Sequence, residues 1–186
     1  MKPTHPSPAD SITDFTLRHD LQPGDLGNIV HLHGTFYAHE CGFDPTYEAY
    51  VANGVAAFAQ AHDDRGRLWI AECGRQFVGC LAIVGLSPKD AQLRWFLVDP
   101  SAQGLGVDER LLGEAVAFCE HCAYEYVFLW SIRGRNAMDK LYRSFGFEKV
   151  QEKSSPRWGV EVVEERYALN PAARRFPSKR EGSTPK

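Results

Sequence analysis

The stretch from residue 68 to residue 132 constrains the fold more than any other. Three strand-like runs follow one another: 68–73 (LWIAEC), 76–86 (QFVGCLAIVGL) and 91–98 (AQLRWFLV). Gly74-Arg75 and Pro88-Lys89-Asp90 separate them, which is the spacing of antiparallel hairpins. A helix from about Val107 to Ala123 follows, with Val107, Leu111, Leu112, Ala115, Val116, Cys119 and Cys122 on one apolar stripe. Residues 125–132 (EYVFLWSI) are then almost continuously apolar and suit a strand in the middle of a covered sheet. Antiparallel strands, a helix and a buried strand together predict an α+β domain built on a mixed sheet with helices on its faces.

The flanks fit that plan. Residues 15–21 (FTLRHDL) alternate as a short strand, and a helix is expected from Asp25 to about Glu40. Gly42 reads as its stop; Asp44-Pro45 opens a second helix to about Ala61. Residues 135–145 place Met138, Leu141, Tyr142 and Phe145 on one helical face, and Gly146 ends it. Strands are expected at 147–152 and 160–169, with 154–159 irregular between them. The expected organisation is a lead-in over 1–14, one domain over 15–169 and a disordered basic tail over 170–186.

Composition matters chiefly for what it excludes. A chain of 186 residues with 44% hydrophobic and 24% charged residues is one ordinary soluble domain with a real core. No apolar run is long enough for a membrane span, and nothing after Lys2 resembles a secretory signal. A net charge of −3 argues against a nucleic-acid binder. That charge is unevenly spread: residues 170–186 carry a net +4, which leaves −7 on the rest and suits a cationic amine partner. Five cysteines, several in apolar runs, fit a reduced cytoplasmic setting better than a disulfide framework.

The chemistry is expected in Gln103-Gly104-Leu105-Gly106, between a strand and a helix. Glycines there permit a sharp turn and close approach to a ligand. The helix start adds unpaired N–H groups and the positive end of the dipole, a seat for phosphate. No Gly-Lys-Ser/Thr follows, so this is not the phosphate loop of nucleotide hydrolases. Leu97-Val98-Asp99-Pro100, the glycine loop, Asn136, and Leu141-Tyr142 followed by Gly146-Phe147 stand in an order that resembles the GNAT family of N-acetyltransferases over residues 15–169. The first helices are similar to the acetyltransferase domain often fused to MarR-type regulators; with about fourteen residues ahead of the domain, no winged helix is expected.

The resemblance implies a GNAT-like mixed sheet of about seven strands flanked by about four helices, splayed where acetyl-coenzyme A binds as co-substrate. The backbone of Leu97 and Val98 would pair with the pantetheine arm. Gln103, Gly104, Leu105, Gly106, Val107 and Asp108 would hold the pyrophosphate. Asn136 would contact the pantetheine or thioester, and Tyr142 would protonate the leaving thiolate. The first helices wall the acceptor pocket in this family, which makes Phe36, Tyr37, His39 and Glu40 candidate contacts. Glu40 and Glu72 are the candidate bases. The implied activity is acetyl transfer to an amine of a small molecule or peptide, with no metal. Family members often dimerise, and the sequence neither requires nor opposes a homodimer.

The loop departs from the family pattern at Asp108, where a small residue is expected, and Glu109 follows it. Both acids complement an empty helix dipole by about 0.3–1 kcal/mol. Against a phosphate, one like-charge pair at ~5 Å costs about 3 kcal/mol at an effective dielectric near 20. Either Asp108 points outward and coenzyme binding survives weakened, or the fold serves a catalytically silent binding role. Other constellations have plainer readings. Cys119 and Cys122 lie on the apolar stripe with no second thiol pair for zinc. His31, His33 and His39 are too sparse for a metal site. Tyr142 also fits as a core tyrosine, Asn136 as a helix cap, Trp95 as core, and Trp158 as a border of the acceptor mouth or of a partner subunit.

Overall fold

The computed structural model describes residues 14–61 and 63–171. In chain order the elements are β1 (Thr16–Arg18), α1 (Asp25–Cys41), α2 (Pro45–Ala61), β2 (Arg67–Cys73), β3 (Gln76–Gly85), β4 (Asp90–Val98), a single 3-10 turn (Pro100–Ala102), α3 (Val107–His121), β5 (Tyr126–Ile132), α4 (Asn136–Ser144), β6 (Glu148–Arg157) and β7 (Val160–Leu169). The strands form one seven-stranded sheet in the order β1-β2-β3-β4-β5-β7-β6. Every neighbouring pair is antiparallel except β4 and β5.

Strand alternation divides the core in two. Trp69, Ala71, Leu81, Ile83, Val127 and Leu129 face α3 and α4, where Leu111, Leu112, Ala115 and Leu141 bury. Leu68, Ile70, Cys80, Ala82 and Leu97 face α1 and α2, against Ile29, Val51 and Val55. Gly42 ends α1 in the left-handed conformation, its N–H donating back to Ala38. At the sheet edge, Arg18 binds Asp25 at 2.7 Å and Glu72 at 2.9 Å, fastening β1 to α1 and β2. Burial alone would raise the Asp25 carboxyl, but Arg18 and the Gln22 N–H bring it below its ordinary value.

Two expectations are corrected. Residues 154–157 are not irregular: Ser154 to Arg157 continue β6 and pair with β7, from Ser154↔Val163 to Arg157↔Val160. Pro156 is tolerated because β6 is an edge strand, which needs no second ladder partner there. The hairpin turns on Trp158 and Gly159, at φ +52° and +82°, the paired left-handed geometry of a tight two-residue turn. The first strand is also shorter than its alternation suggests, three residues rather than seven. Most of the expected lead-in and tail, residues 1–13 and 172–186, lies outside the described residues. Among the described residues, no helix is long and apolar enough to cross a membrane.

Leu111 is fully buried between α3 and the sheet. Leu111→Ala should lower unfolding stability by about 2–5 kcal/mol, read as a shift of the urea midpoint at unchanged m-value.

Candidate active site

The site begins as a break in the sheet. β4 and β5 pair in parallel only at Asp90↔Tyr126, Ala91↔Val127 and Gln92↔Phe128, then separate. The cause lies on the other side of β4. Cys80 pairs with Leu97 and Ala82 with Arg94, so Trp95 and Phe96 stand opposite Leu81 alone. This extra residue is a β-bulge, which bends and twists its strand. Trp95 takes φ +50°, and its carbonyl accepts a hydrogen bond from the Cys80 thiol at 3.1 Å. Gly54 on α2 makes room for the indole: a Cβ there would lie 2.9 Å from Trp95 Cζ2.

Beyond the bulge, the edge of β4 that faces β5 has no strand partner among the described residues, which leaves backbone N–H and C=O groups presented to a cleft of about 550 Å³. Leu97 and Val98 line it on one side, Asn136 and Met138 on the other, with Gln103, Gly104 and Asp108 at one end and Phe36 and Glu40 on α1. The glycine loop is built as its sequence suggests. Asp99 Oδ1 accepts from the Ser101 N–H at 2.8 Å, while Gly104 and Gly106 adopt φ +82° and +74°. Gly106 precedes α3 and brings no side chain to that helix start, while the Glu109 carboxylate accepts a hydrogen bond from its own backbone N–H. The N–H groups ahead of it, at Val107 and Asp108, are the ones an anion would use. A Cβ on Gly104 would meet nothing within 4 Å, so the loop surface is open.

Asp108 does not point away; it lines the cleft beside Gln103 and Gly104. A hydrogen bond with Asp108 pushes the Glu109 carboxyl above its ordinary value, so the two acids crowd each other at the helix start. Leu105 and Val107 face the α3 side core rather than the cleft. Leu97 is 2% exposed, with its side chain in the α1–α2 core, so only its backbone can serve a ligand. Asn136 is the first residue of α4 and Arg135 its N-cap, so Asn136 does not stand at the capping position.

A second cavity, of about 260 Å³, adjoins the first: both are lined by Phe96 and Arg135. Tyr37 and Tyr142 belong to its wall, along with Trp158 and the buried Ser131. Tyr142 is 5% exposed, and burial, then its neighbour Tyr37, push its hydroxyl well above the ordinary tyrosine value. A hydrogen bond with Ser131 partly counters the shift. The phenol therefore stays protonated at any working pH. Tyr142 packs at 6.2 Å from Phe96, the ring both cavities share, and at 5.4 Å from Tyr167.

Glu72 is not brought here. It sits on β2, two strands from β4, is held by Arg18 and lines neither cavity. His39 also lines neither cavity; it is exposed, with its Nδ1 2.8 Å from Glu40 Oε1. Several residues of the site were not legible beforehand. Arg135 donates to the Tyr37 hydroxyl at 2.7 Å and stacks on Phe36 at 4.8 Å. Its one sequence signal was its place next to Asn136. Buried His33 lines the second cavity, with its Nδ1–H donating to the Ile29 carbonyl at 2.9 Å. Trp158 does border this cavity, packed on Phe43 and Tyr47 at 4.9 and 4.8 Å.

Comparison with known proteins agrees with this geometry. Residues 64–149 match the model of the acetyltransferase (GNAT) domain, a span that contains β2 to α4 and the whole glycine loop. Over that span the chain is similar to a GNAT acetyltransferase domain. Its fold matches an acetyltransferase from Streptococcus agalactiae with a TM-score of 0.68 at 18% identity, covering 84% of this chain and 98% of that one. A ribosomal-protein-alanine N-acetyltransferase from Brucella melitensis gives 0.68 at 18% identity over 83% and 99% of the two chains. A spermidine N-acetyltransferase from Vibrio cholerae, solved with CoA and spermine, gives 0.64 at 18% identity over 85% and 96%. A search of curated proteins found no match.

Burial lowers the His33 imidazole from 6.5 to about 4. The unfolded chain takes up that proton as pH falls through 6.5, whereas the folded chain does not until about 4. Stability present above pH 6.5 should therefore be lost progressively down to about pH 4, by roughly 3 kcal/mol. Urea unfolding across this window checks it, and His33→Gln should flatten that part of the profile.

Proposed function

We propose that this domain moves an acetyl group from acetyl-coenzyme A to an amine of a small molecule or peptide, by direct attack. The observation that carries the reading is the meeting of two cavities at Phe96 and Arg135, where β4 parts from β5. One cavity presents a free strand edge and the N-terminus of α3; the other has a buried, protonated tyrosine in its wall. A transfer needs two ligands to approach each other at one point, and this arrangement provides it.

The residues that would hold the coenzyme fit it in kind. The free edge of β4 at Leu97 and Val98 suits an extended amide-bearing arm, which would add as a short strand. Gln103 to Gly106 and the first N–H groups of α3, at Val107 and Asp108, suit a pyrophosphate. Asn136 lines the same cleft. Bound there, acetyl-coenzyme A supplies the thioester whose C–S bond breaks as the acceptor's N–C bond forms, so one proton leaves the amine and one goes to sulfur. Tyr142 holds a proton at its hydroxyl for the sulfur. The acceptor cavity offers one carboxylate, Glu164, and Lys153 and Arg157 already hold it at 3.2 and 3.1 Å. Glu40 lines the coenzyme cleft instead. That leaves water, or Glu40 through water, to take the amine's proton. Phe36 and Tyr37 shape the approach from α1.

Titration with acetyl-coenzyme A tests the reading directly: heat and a melting shift are expected, and neither at millimolar ligand would leave only the catalytically silent reading. Asp108→Asn should tighten coenzyme A binding by about tenfold. The reduction from the bare Coulomb figure reflects screening of a half-exposed carboxylate. Tyr142→Phe should lower kcat by at least about 100-fold while leaving coenzyme affinity within about twofold. Equal turnover in that variant would remove Tyr142 as the acid.

A further inference from the structure

The charge of the acceptor cavity runs against the charge of the body. Its wall contains Arg94, Arg135, Lys153 and Arg157, and one acid, Glu164. Glu164 is shared between Lys153 and Arg157. Arg94 and Arg135 have no carboxylate partner among the described residues; their hydrogen bonds go to the hydroxyls of Tyr50 and Tyr37, at 3.3 and 2.7 Å. Four cations around one carboxylate leave a formal excess of three positive charges in a cavity of about 260 Å³. Such a cavity focuses an attractive field for anions and repels a polyamine.

Aromatic walls ordinarily favour a cationic ligand, because a ring face attracts positive charge. Here the protein's own cations already cover those faces. Arg94 lies 4.6 Å from the Trp95 ring centroid, Arg157 4.3 Å from Trp158, Lys153 4.1 Å from Trp130, and Arg135 5.5 Å from Tyr37. A ligand ammonium finds the favourable positions taken. A ligand carboxylate finds guanidinium donors held flat against rings and already partly desolvated, the arrangement in which charge-assisted hydrogen bonds are strongest.

We propose that the acceptor is an amine carried on an anion: a carboxylate-bearing amine of amino-acid size with an apolar or aromatic body, its carboxylate bound by the arginines of this cavity and its amine directed to the junction at Phe96. The inference rests on the acetyltransferase reading and names the substrate class of that same site. The bonds made and broken are those given above; only the acceptor is specified.

Binding to the coenzyme-free protein tests it without turnover. Three tryptophans, Trp95, Trp130 and Trp158, wall the cavity and report occupancy by fluorescence. The probes are L-phenylalanine against 2-phenylethylamine, L-leucine against 3-methylbutylamine, L-glutamate, and spermidine. At least one amino acid should bind five- to tenfold more tightly than its decarboxylated counterpart or than spermidine, with an affinity that falls as sodium chloride is raised. Arg94→Gln should weaken that binding about fivefold, and Arg94→Lys should restore part of it. Parity within the matched pairs, or preference for spermidine, overturns the proposal. A separate calorimetric titration with coenzyme A distinguishes the failures. Coenzyme binding without carboxylate preference removes the acceptor class and leaves acetyl transfer standing. Carboxylate binding without coenzyme binding overturns the acceptor role together with the transferase reading.

Discussion

The insertion of one extra residue in β4 opposite Leu81 is the constraint on which the site depends. Without it, β4 and β5 would pair along their length, as β5 and β7 do from Val127↔Leu169 to Ile132↔Glu164. There would then be no free backbone edge and no gap between the strands. The bulge puts a tryptophan at φ +50°, a conformation that costs a non-glycine residue about 1–3 kcal/mol. Several features offset it. Trp95 is 7% exposed in the α1–α2 core, Phe58 packs edge-on to it at 5.8 Å, and Gly54 gives up helix propensity to admit the ring. The two helices that wall the acceptor side thus also hold the sheet open.

This coupling orders the chemistry. The same strand offers its backbone to one cavity, through Leu97 and Val98, and its side chains Arg94 and Trp95 to the other. α4 begins beside the gap, with Arg135 lining both cavities and Tyr142, two turns on, against Phe96. A buried phenol suits acid work in one respect and not in another. Burial keeps it protonated, but also makes its anion costly, so it must be reprotonated promptly once used. Ser131, hydrogen-bonded to it, is the nearest polar route for that return.

Much of this was legible from residues alone, because it depends on local rules. Turn glycines, a proline after an N-cap acid and the two apolar periods place every strand and helix but β1 and β6 within a residue or two. The glycine loop announces its geometry through two positions that need positive φ, Gly104 and Gly106. What failed to show was non-local. Ser154-Ser155-Pro156 looks like a break, and becomes strand only because β6 is an outer edge with β7 beside it. Glu72 lies on a strand of the right sheet, yet its side chain answers to Arg18 from β1, a partner 54 residues away. The bulge has no local signature, since Arg94-Trp95-Phe96-Leu97 would serve equally well in a regular strand.

Charge is the clearest case of placement outweighing sum. The body's net negative charge suggests a cationic partner, and the two acids at the start of α3 suggest a poor seat for phosphate. The first suggestion averages over the whole surface, whereas binding is decided within about a Debye length of the cavity, ~8–10 Å at ordinary salt. Inside that radius the acceptor side carries Arg94, Arg135, Lys153 and Arg157 against Glu164. The second suggestion concerns Asp108, which lines the cleft beside Gln103 and Gly104. Even there the acids are not independent charges. Glu109 leans on Asp108 and takes up a proton more readily than an isolated carboxyl, so the pair opposes a phosphate with less than two full charges as the pH falls. Arg135, which reaches both cavities, is the nearest unpaired positive charge on the opposite wall. The cleft is thus acidic at the helix end and basic at the junction.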